Sequence, residues 1–411
     1  MSAKFPRVFL RPLEEAEILR GFPWVYGNEI ASVAGEAADG DAVEAFSSSG
    51  LFLGTGILNQ KSKIVLRLLC RSRAETLFDS ARGVHTERSA AFFRELTASA
   101  ASLRAAYYSP ADSYRLCFAE ADGFPGLIVE RFADADGRVV LVFQFLSLAS
   151  EVFRQELLAV FCKAANPDAI YDRSDAPVRA LEGLPETSGW LGGESDPLVT
   201  IRENGVLLSV DVAKGQKTGY FLDQKANRRA AARFARGARV LDLFSHTGAF
   251  GLNAARAGAQ SVLAADISAE AVDTLRRNVA LNGANDVMRA VEADAFDVLR
   301  DCERAGERFD LVVLDPPAFA RNARSVQKAF GGYKEINLRA MRLLSPGGIL
   351  VSCSCSQSFD APTFYAMIQS AAADARRRVQ ILEKRGAGTD HPVLAGHPKS
   401  EYLKCAILRV L

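Results

Sequence analysis

The chain has 411 residues, 49% of them apolar, and a formal net charge of +1. That length exceeds one ordinary domain, and the apolar content is enough for several packed cores. Near-zero net charge excludes recruitment of nucleic acid by a global field, so any polyanion site has to be a local basic patch. The opening MSAKFPRVFL lacks the long apolar run of a secretion signal, and no stretch approaches the ~20 apolar residues that span a bilayer. A soluble, cytoplasmic chain is expected. The seven cysteines (Cys70, Cys117, Cys162, Cys302, Cys353, Cys355 and Cys405) are odd in number and scattered. Such a pattern argues against a disulfide framework. No C-x-x-C with a second Cys or His pair occurs, so no zinc or other metal is predicted.

Residues 5–72 read as short strands (VFLRP, LFLGTGIL, KIVLRLL) with a Gly-rich turn near Gly35 and Gly40, the pattern of a small β-barrel. Residues 73–185 begin with an amphipathic stretch over Glu87–Ser102. The strands YRLCFAE, GLIVERF and RVVLVFQFL come next, then a helical run and the strand AIYDRS. This predicts an α+β module. LEGLPETSGWLGGESDP, rich in Gly, Pro and Ser, reads as a linker or exposed loop. Residues 186–411 form the third region. After a hairpin turning at Asn204-Gly205, strands (ARVLDLF, SVLAADI, MRAVEAD, FDLVVLD, GGILVSCS) alternate with helical stretches. Alternation of this kind predicts βαβ units on a parallel sheet, an α/β fold. The tail adds two more strands.

In open α/β sheets the ligand lies beyond the carboxyl ends of the strands. The first strand runs into Asp242-Leu243-Phe244-Ser245-His246-Thr247-Gly248, with Gly251 beyond; the second ends at Asp266 and the third at Asp294. Position 246 carries no glycine, so G-x-G-x-x-G is not met, which counts against a pyrophosphate cofactor. A nucleoside without phosphates, such as S-adenosylmethionine, would not need that glycine. The competing explanation for each aspartate is a helix N-cap. The fourth strand ends in Asp315-Pro316-Pro317-Ala318-Phe319, where two prolines force the chain rigidly out of the sheet. The predicted cofactor pocket is Asp242, Phe244, Ser245, Gly248, Asp266, Ile267, Ser268, Asp294, Ala295, Asp315 and Pro316. Pro317 and Phe319 are placed against a base.

Asp-Pro-Pro at this strand end resembles motif IV of S-adenosylmethionine-dependent methyltransferases that act on nucleic-acid bases. Methylating carbon 5 of a pyrimidine needs covalent help: a thiolate adds to carbon 6, and an acid at ring nitrogen 3 steadies the developing charge. Cys353/Cys355 on the fifth strand and Asp315 on the fourth meet that demand. Cys355, nearer the carboxyl edge, suits attack, and Cys353 suits packing.

Five further segments extend the resemblance. They are Lys217-Thr218-Gly219-Tyr220-Phe221-Leu222-Asp223-Gln224 with Arg228, Phe244-Ser245-His246-Thr247-Gly248, Gly332-Tyr333-Lys334-Glu335-Ile336-Asn337, Ser354-Cys355-Ser356 and Asp390-His391-Pro392-Val393. With Tyr171-Asp172-Arg173-Ser174-Asp175 they resemble the 23S ribosomal RNA large-subunit cytosine-5 methyltransferases over nearly the whole chain. The resemblance implies an N-terminal PUA domain, a central α+β domain and a Rossmann-like class I methyltransferase domain. It also implies S-adenosylmethionine as cofactor, 23S rRNA or a large-subunit precursor as substrate, Cys355 as nucleophile and Asp315 beside it. Lys217, Thr218, Gly219, Phe221, Asp223 and Gln224 are implied as cofactor residues. Ala318 stands where many other RNA cytosine-5 methyltransferases carry a second cysteine, so the base that takes the carbon 5 proton stays open between Asp315 and water. A related family with the same lead-in motif methylates guanine without a thiol, which keeps nitrogen methylation of guanine or adenine as the alternative. For RNA contact the sequence offers Lys61, Lys63 and Arg67 in the N-terminal region and Arg228 near the catalytic mouth. A homodimer is left open.

Overall fold

The computed structural model describes residues 4–216, 218–320 and 323–411. The chain forms two compact units. The first comprises the chain up to Val199 with Val210–Leu222 and Thr389–Ser400; the second comprises Thr200–Ser209, Asp223–Gly388 and Glu401–Leu411.

The first unit holds two sheets, which share a core where Ala42, Ile57 and Leu69 of one meet Leu116, Leu141 and Phe143 of the other. A six-stranded sheet orders Trp24–Tyr26, Ile64–Cys70, Phe52–Leu58, Ala42–Phe46, Arg7–Leu10 and Ile30–Ala34 over a core of Val8, Leu10, Val25, Val43, Leu53 and Leu66. A five-stranded sheet orders Thr187–Leu191, Ala169–Ser174, Val139–Phe145, Leu127–Ala133 and Tyr114–Phe118. The helix Glu87–Ala105 belongs to this second module. Thr86 starts it by accepting the Ser89 N–H at 3.0 Å, a capping bond that satisfies one of the otherwise unpaired N-terminal donors.

The stretch read as a linker or exposed loop is corrected in its middle, over Thr187–Leu191, while residues 192–197 hold no helix or strand. Thr187–Leu191 is an edge strand paired antiparallel with Ala169–Ser174, and the Trp190 ring meets Tyr171 edge-on at 4.8 Å. Glycine and serine lower its strand propensity, but the ladder and this aromatic contact, both supplied by the neighbouring strand, override it.

In the second unit the sheet strands are β1 (Arg239–Leu243), β2 (Ser261–Asp266), β3 (Met288–Glu292), β4 (Phe309–Leu314), β5 (Leu344–Ser354), β6 (Val379–Arg385) and β7 (Lys404–Val410), in the spatial order β3-β2-β1-β4-β5-β7-β6. β1 to β5 are mutually parallel, whereas β7 pairs antiparallel with both β5 and β6. The helices are α1 (Lys225–Ala232), α2 (Ala249–Arg256), α3 (Ala269–Leu281), α4 (Ala295–Arg304), α5 (Val326–Leu343) and α6 (Ala361–Ala375). Leu241, Leu243, Val312, Leu314 and Leu350 from the sheet meet Ile336, Met341 and Phe364 from the helices in one core. Strands buried on both faces read as continuous apolar runs, which is why FDLVVL and GGILVS were legible. The sheet order reverses between β1 and β4, so the ligand-binding crevice of this topology lies beyond their carboxyl ends.

Candidate active site

Three aspartates stand at the carboxyl ends of β1, β2 and β3, and each accepts from backbone N–H groups of the segment after its strand or of an adjoining loop. Asp294 caps α4, its Oδ1 accepting from the N–H groups of Phe296 (2.7 Å) and Asp297 (3.3 Å). Asp266 braces two turns, accepting the His246 N–H at 2.8 Å and the Ser268 N–H at 3.0 Å. Ser268 in turn caps α3 through Ala271 N–H at 3.3 Å. Asp242 reaches across to α2 and accepts the Gly251 N–H at 2.8 Å. A Cβ at Gly251 would stand 3.1 Å from that same carboxylate and 2.6 Å from Met288 Cε, so any side chain there would crowd the Asp242 carboxylate.

Asp242 differs from the other two. It is only 1% exposed, and its second oxygen, Oδ1, has no partner among the described residues; nor does the buried Ser245 Oγ. Burial pushes the Asp242 carboxyl up to about 7, against the pull of the Gly251 N–H, and the charges of Asp315 and Asp266 add to the rise. Between Asp242 and Asp266 the chain bends sharply: Phe244 (φ 59°), His246 (φ 49°) and Gly248 (φ 85°) all lie in the left-handed region. Two non-glycine residues in that region cost free energy that the surrounding contacts must hold in place, a feature concentrated at ligand sites. Buried polar atoms left without partners at such a turn are free to take a hydrogen bond from a ligand. Ile267, beside Asp266, is 69% exposed, and Ala295 is buried at the first position of α4.

Asp315 leaves the end of β4 half-buried, and its Oδ1 accepts from Gln224 Nε2 at 2.8 Å. Gln224 is itself fixed by Asn227, whose Nδ2 donates to its Oε1 at 2.7 Å. Asp223 accepts the Tyr402 hydroxyl at 2.5 Å. Pro316 is buried, Pro317 exposed and Phe319 half-buried, its ring 4.6 Å from that of Tyr333.

On the neighbouring β5 the register pairs Leu314 with Ser352, so the strand end that carries Cys355 adjoins the one that carries Asp315. Cys353 is 1% exposed and lies directly opposite Cys405 on β7. Its hydrogen bond with Cys405 and its burial push this thiol well above the ordinary range, leaving it protonated and inert. Cys355 is half-buried, just past the strand end. The flanking serines are buried and clamp the turn. Ser354 Oγ donates to Tyr333 Oη at 3.1 Å, Ser356 Oγ lies 2.8 Å from the same oxygen, and Ser356 Oγ accepts the Ala320 N–H at 3.2 Å. Phe319 N–H also donates to Tyr333 Oη, at 3.3 Å. Tyr333, on α5, therefore ties the Asp-Pro-Pro-Ala-Phe loop to the Ser-Cys-Ser turn.

Sequence reading missed Lys404. This lysine is 5% exposed inside β7, and its Nζ donates to the carbonyls of Ser356 (2.6 Å) and Tyr402 (2.7 Å). The one signal was a charged residue opening the otherwise apolar run KCAIL.

Two predicted RNA contacts are corrected. Arg67 is 7% exposed, in the first unit, and pairs with Glu120 at 2.8 Å and Glu182 at 3.0 Å. Arg228 is 3% exposed and grips both oxygens of Glu203, at 3.0 and 2.8 Å. A guanidinium held by buried carboxylates does not present its charge to a phosphate. Lys61 and Lys63 are exposed. Thr218, Gly219 and Phe221 belong to the first unit. There Thr218 is fully buried, with its hydroxyl on Glu130, which Arg115 also engages. Lys217 lies outside the described residues.

Residues 182–396 match the S-adenosylmethionine-dependent methyltransferase family model, and residues 8–71 match a PUA-like domain. The chain is 40% identical over 409 residues to the ribosomal RNA large subunit methyltransferase I of Shewanella amazonensis, covering 98% of this chain and 99% of that one. The chain belongs to the ribosomal RNA large subunit methyltransferase I family. The Salmonella gallinarum member is 38% identical, over 99% of this chain and 98% of its own. A methyltransferase solved with SAH shares the fold, at a TM-score of 0.80 and 23% identity, covering 98% of this chain and all of the other. The family resemblance and the α/β methyltransferase fold expected from the sequence are borne out, and so is S-adenosylmethionine as cofactor. The site fits that cofactor, because it offers acceptors (Asp242 Oδ1, Ser245 Oγ, the Asp266 carboxylate) for the N–H and O–H donors of a nucleoside without phosphates. Among the described residues, no helix is long and apolar enough to cross a membrane.

Proposed function

We propose that this family member methylates carbon 5 of a cytosine in 23S rRNA, with Cys355 forming a transient bond to carbon 6. The observation that carries the reading is the placement of Cys355: a half-buried thiol at the carboxyl edge of β5, adjoining the β4 end where Gln224 holds Asp315. The relatives named as ribosomal RNA large subunit methyltransferases support the substrate class.

When bound, S-adenosylmethionine supplies an electrophilic methyl group, held by Asp242, Ser245, Gly248 and Asp266. The Cys355 thiolate adds to carbon 6, forming an S–C bond while the C5=C6 π pair moves onto carbon 5 and the ring. Asp315, fixed by Gln224, would in its protonated form donate to ring nitrogen 3 and so stabilise the charge that develops there. With Cys355 bonded to carbon 6 and Asp315 at the ring, carbon 5 carries the electron pair that would take the methyl group, the cofactor being left as a neutral thioether. A base then removes the carbon 5 proton, the C5=C6 bond re-forms and the thiolate departs. Phe319 and Pro317 flank the base, while the exposed Lys61 and Lys63 give the PUA-like region its phosphate contacts.

RNA carrying 5-fluorocytidine tests the covalent step, because fluorine cannot leave as a proton does and the adduct persists. The wild-type chain with S-adenosylmethionine should yield a denaturation-resistant RNA–protein complex, and Cys355→Ser should yield none. Undiminished trapping by Cys355→Ser would contradict the reading.

A further inference from the structure

We propose that Lys404 is a positioning residue for the nucleophile, its buried ammonium holding Cys355 in the thiolate form. The inference rests on Cys355 being the nucleophile and adds the group that prepares it. A thiol attacks only as thiolate, and neighbouring cations raise the thiolate fraction. Lys404 lies on β7 directly opposite Ser354. Its Nζ is anchored by two carbonyls, one of them that of Ser356, the residue next to Cys355.

Keeping a lysine 5% exposed at the start of an apolar strand is unfavourable, and an apolar residue of similar length would fill the space. Burial pulls its pKa down to about 8, while the thiolate of Cys355, and then Asp360 and Glu401, act to raise it. Below about pH 8 the ammonium is charged, and the interaction with Cys355 favours thiolate. Of the titratable groups near this turn, Tyr333 on α5 acts on Cys355, Asp360 at the start of α6 and Glu401 before β7 act on Lys404, and Cys353 lies two residues back on β5. Burial raises the Tyr333 phenol, with Cys355 adding to the rise, so it is neutral. Asp360 and Glu401 favour the charged ammonium, and Cys353, sealed and protonated, adds no charge.

The test is the pH profile of Cys355 alkylation by iodoacetamide, read by peptide mass spectrometry in the full-length chain. Lys404→Gln keeps a donor for the carbonyls without the charge, and Lys404→Met removes both. Each should move the midpoint upward by about one pH unit, the effect of one nearby charge. Alkylation at pH 7 should then slow about tenfold. Lys404→Arg, which keeps the cation, should hold the midpoint near that of wild type. S-Adenosylhomocysteine binding by each variant reports that the domain is folded. An unshifted midpoint in folded Lys404→Gln would overturn the proposal. A methylating Cys355→Ser would instead overturn the nucleophile assignment and leave the measured charge coupling standing, so the two failures are distinguishable.

Discussion

At the residue scale, Asp242 is the group whose protonation the fold perturbs most usefully. Its carboxyl is raised to about 7 by burial. Without ligand, this group's contribution to stability is therefore present at low pH and is lost as pH rises through about 7, since ionising it in the folded state is what costs. A ligand that donates to Oδ1 favours the ionised form. S-Adenosylhomocysteine should accordingly bind about tenfold more tightly at pH 8 than at pH 6, and Asp242→Asn should bind weakly with little pH dependence. Isothermal titration at the two pH values checks this, and a flat profile in the wild type would remove Asp242 from the cofactor's contacts. The two cysteines of VSCSCSQ separate on similar grounds. Cys353 is sealed against Cys405, whereas Cys355 clears the strand end.

Among the elements, α5 does more than cover the sheet, because its Tyr333 hydroxyl collects Ser354, Ser356 and the Phe319 N–H. Tyr333→Phe leaves those buried polar groups short of a partner and should cost about 1–3 kcal/mol. If the Asp-Pro-Pro loop and the Ser-Cys-Ser turn act together as proposed, methylation should fall more than cofactor affinity, since this hydroxyl joins them; thermal melts and single-turnover rates measure both. Much of this element scale was readable in the sequence. Parallel strands buried on both faces appear as unbroken apolar runs, and Asn204-Gly205, both at positive φ, marks its hairpin. Strand direction was not readable: the tail strands β6 and β7 show apolar character but carry no sign that β7 pairs antiparallel with β5. The edge strand Thr187–Leu191 was hidden because its pairing comes from a partner outside the local window. Likewise Asp294 looks like a ligand residue and a helix cap alike in sequence, and only its bonds to Phe296 and Asp297 reveal the cap.

For the whole molecule, a net charge of +1 leaves RNA binding to particular exposed cations. A run of basic residues does not distinguish exposed from buried ones, and the structure divides this run: Lys61 and Lys63 face solvent, whereas Arg67 is enclosed by Glu120 and Glu182. Replacing Lys61 and Lys63 by alanine should lower the salt dependence of RNA binding, its slope falling by about one to two, with the fold intact. Arg67→Ala should instead destabilise the protein by about 3–5 kcal/mol, because it strands two buried carboxylates. Binding isotherms across a salt series, together with denaturant melts, separate the two outcomes.

Carbon 5 methylation through Cys355 is tested most directly by nucleoside mass spectrometry of ribosomal RNA. The RNA would come from a strain lacking the protein and complemented by wild type, Cys353→Ser or Cys355→Ser. The expected result is that one 5-methylcytidine is lost, returns with wild type and with Cys353→Ser, and stays absent with Cys355→Ser. Return of the mark with Cys355→Ser, or loss of a nitrogen-methylated guanine or adenine in its place, would contradict it.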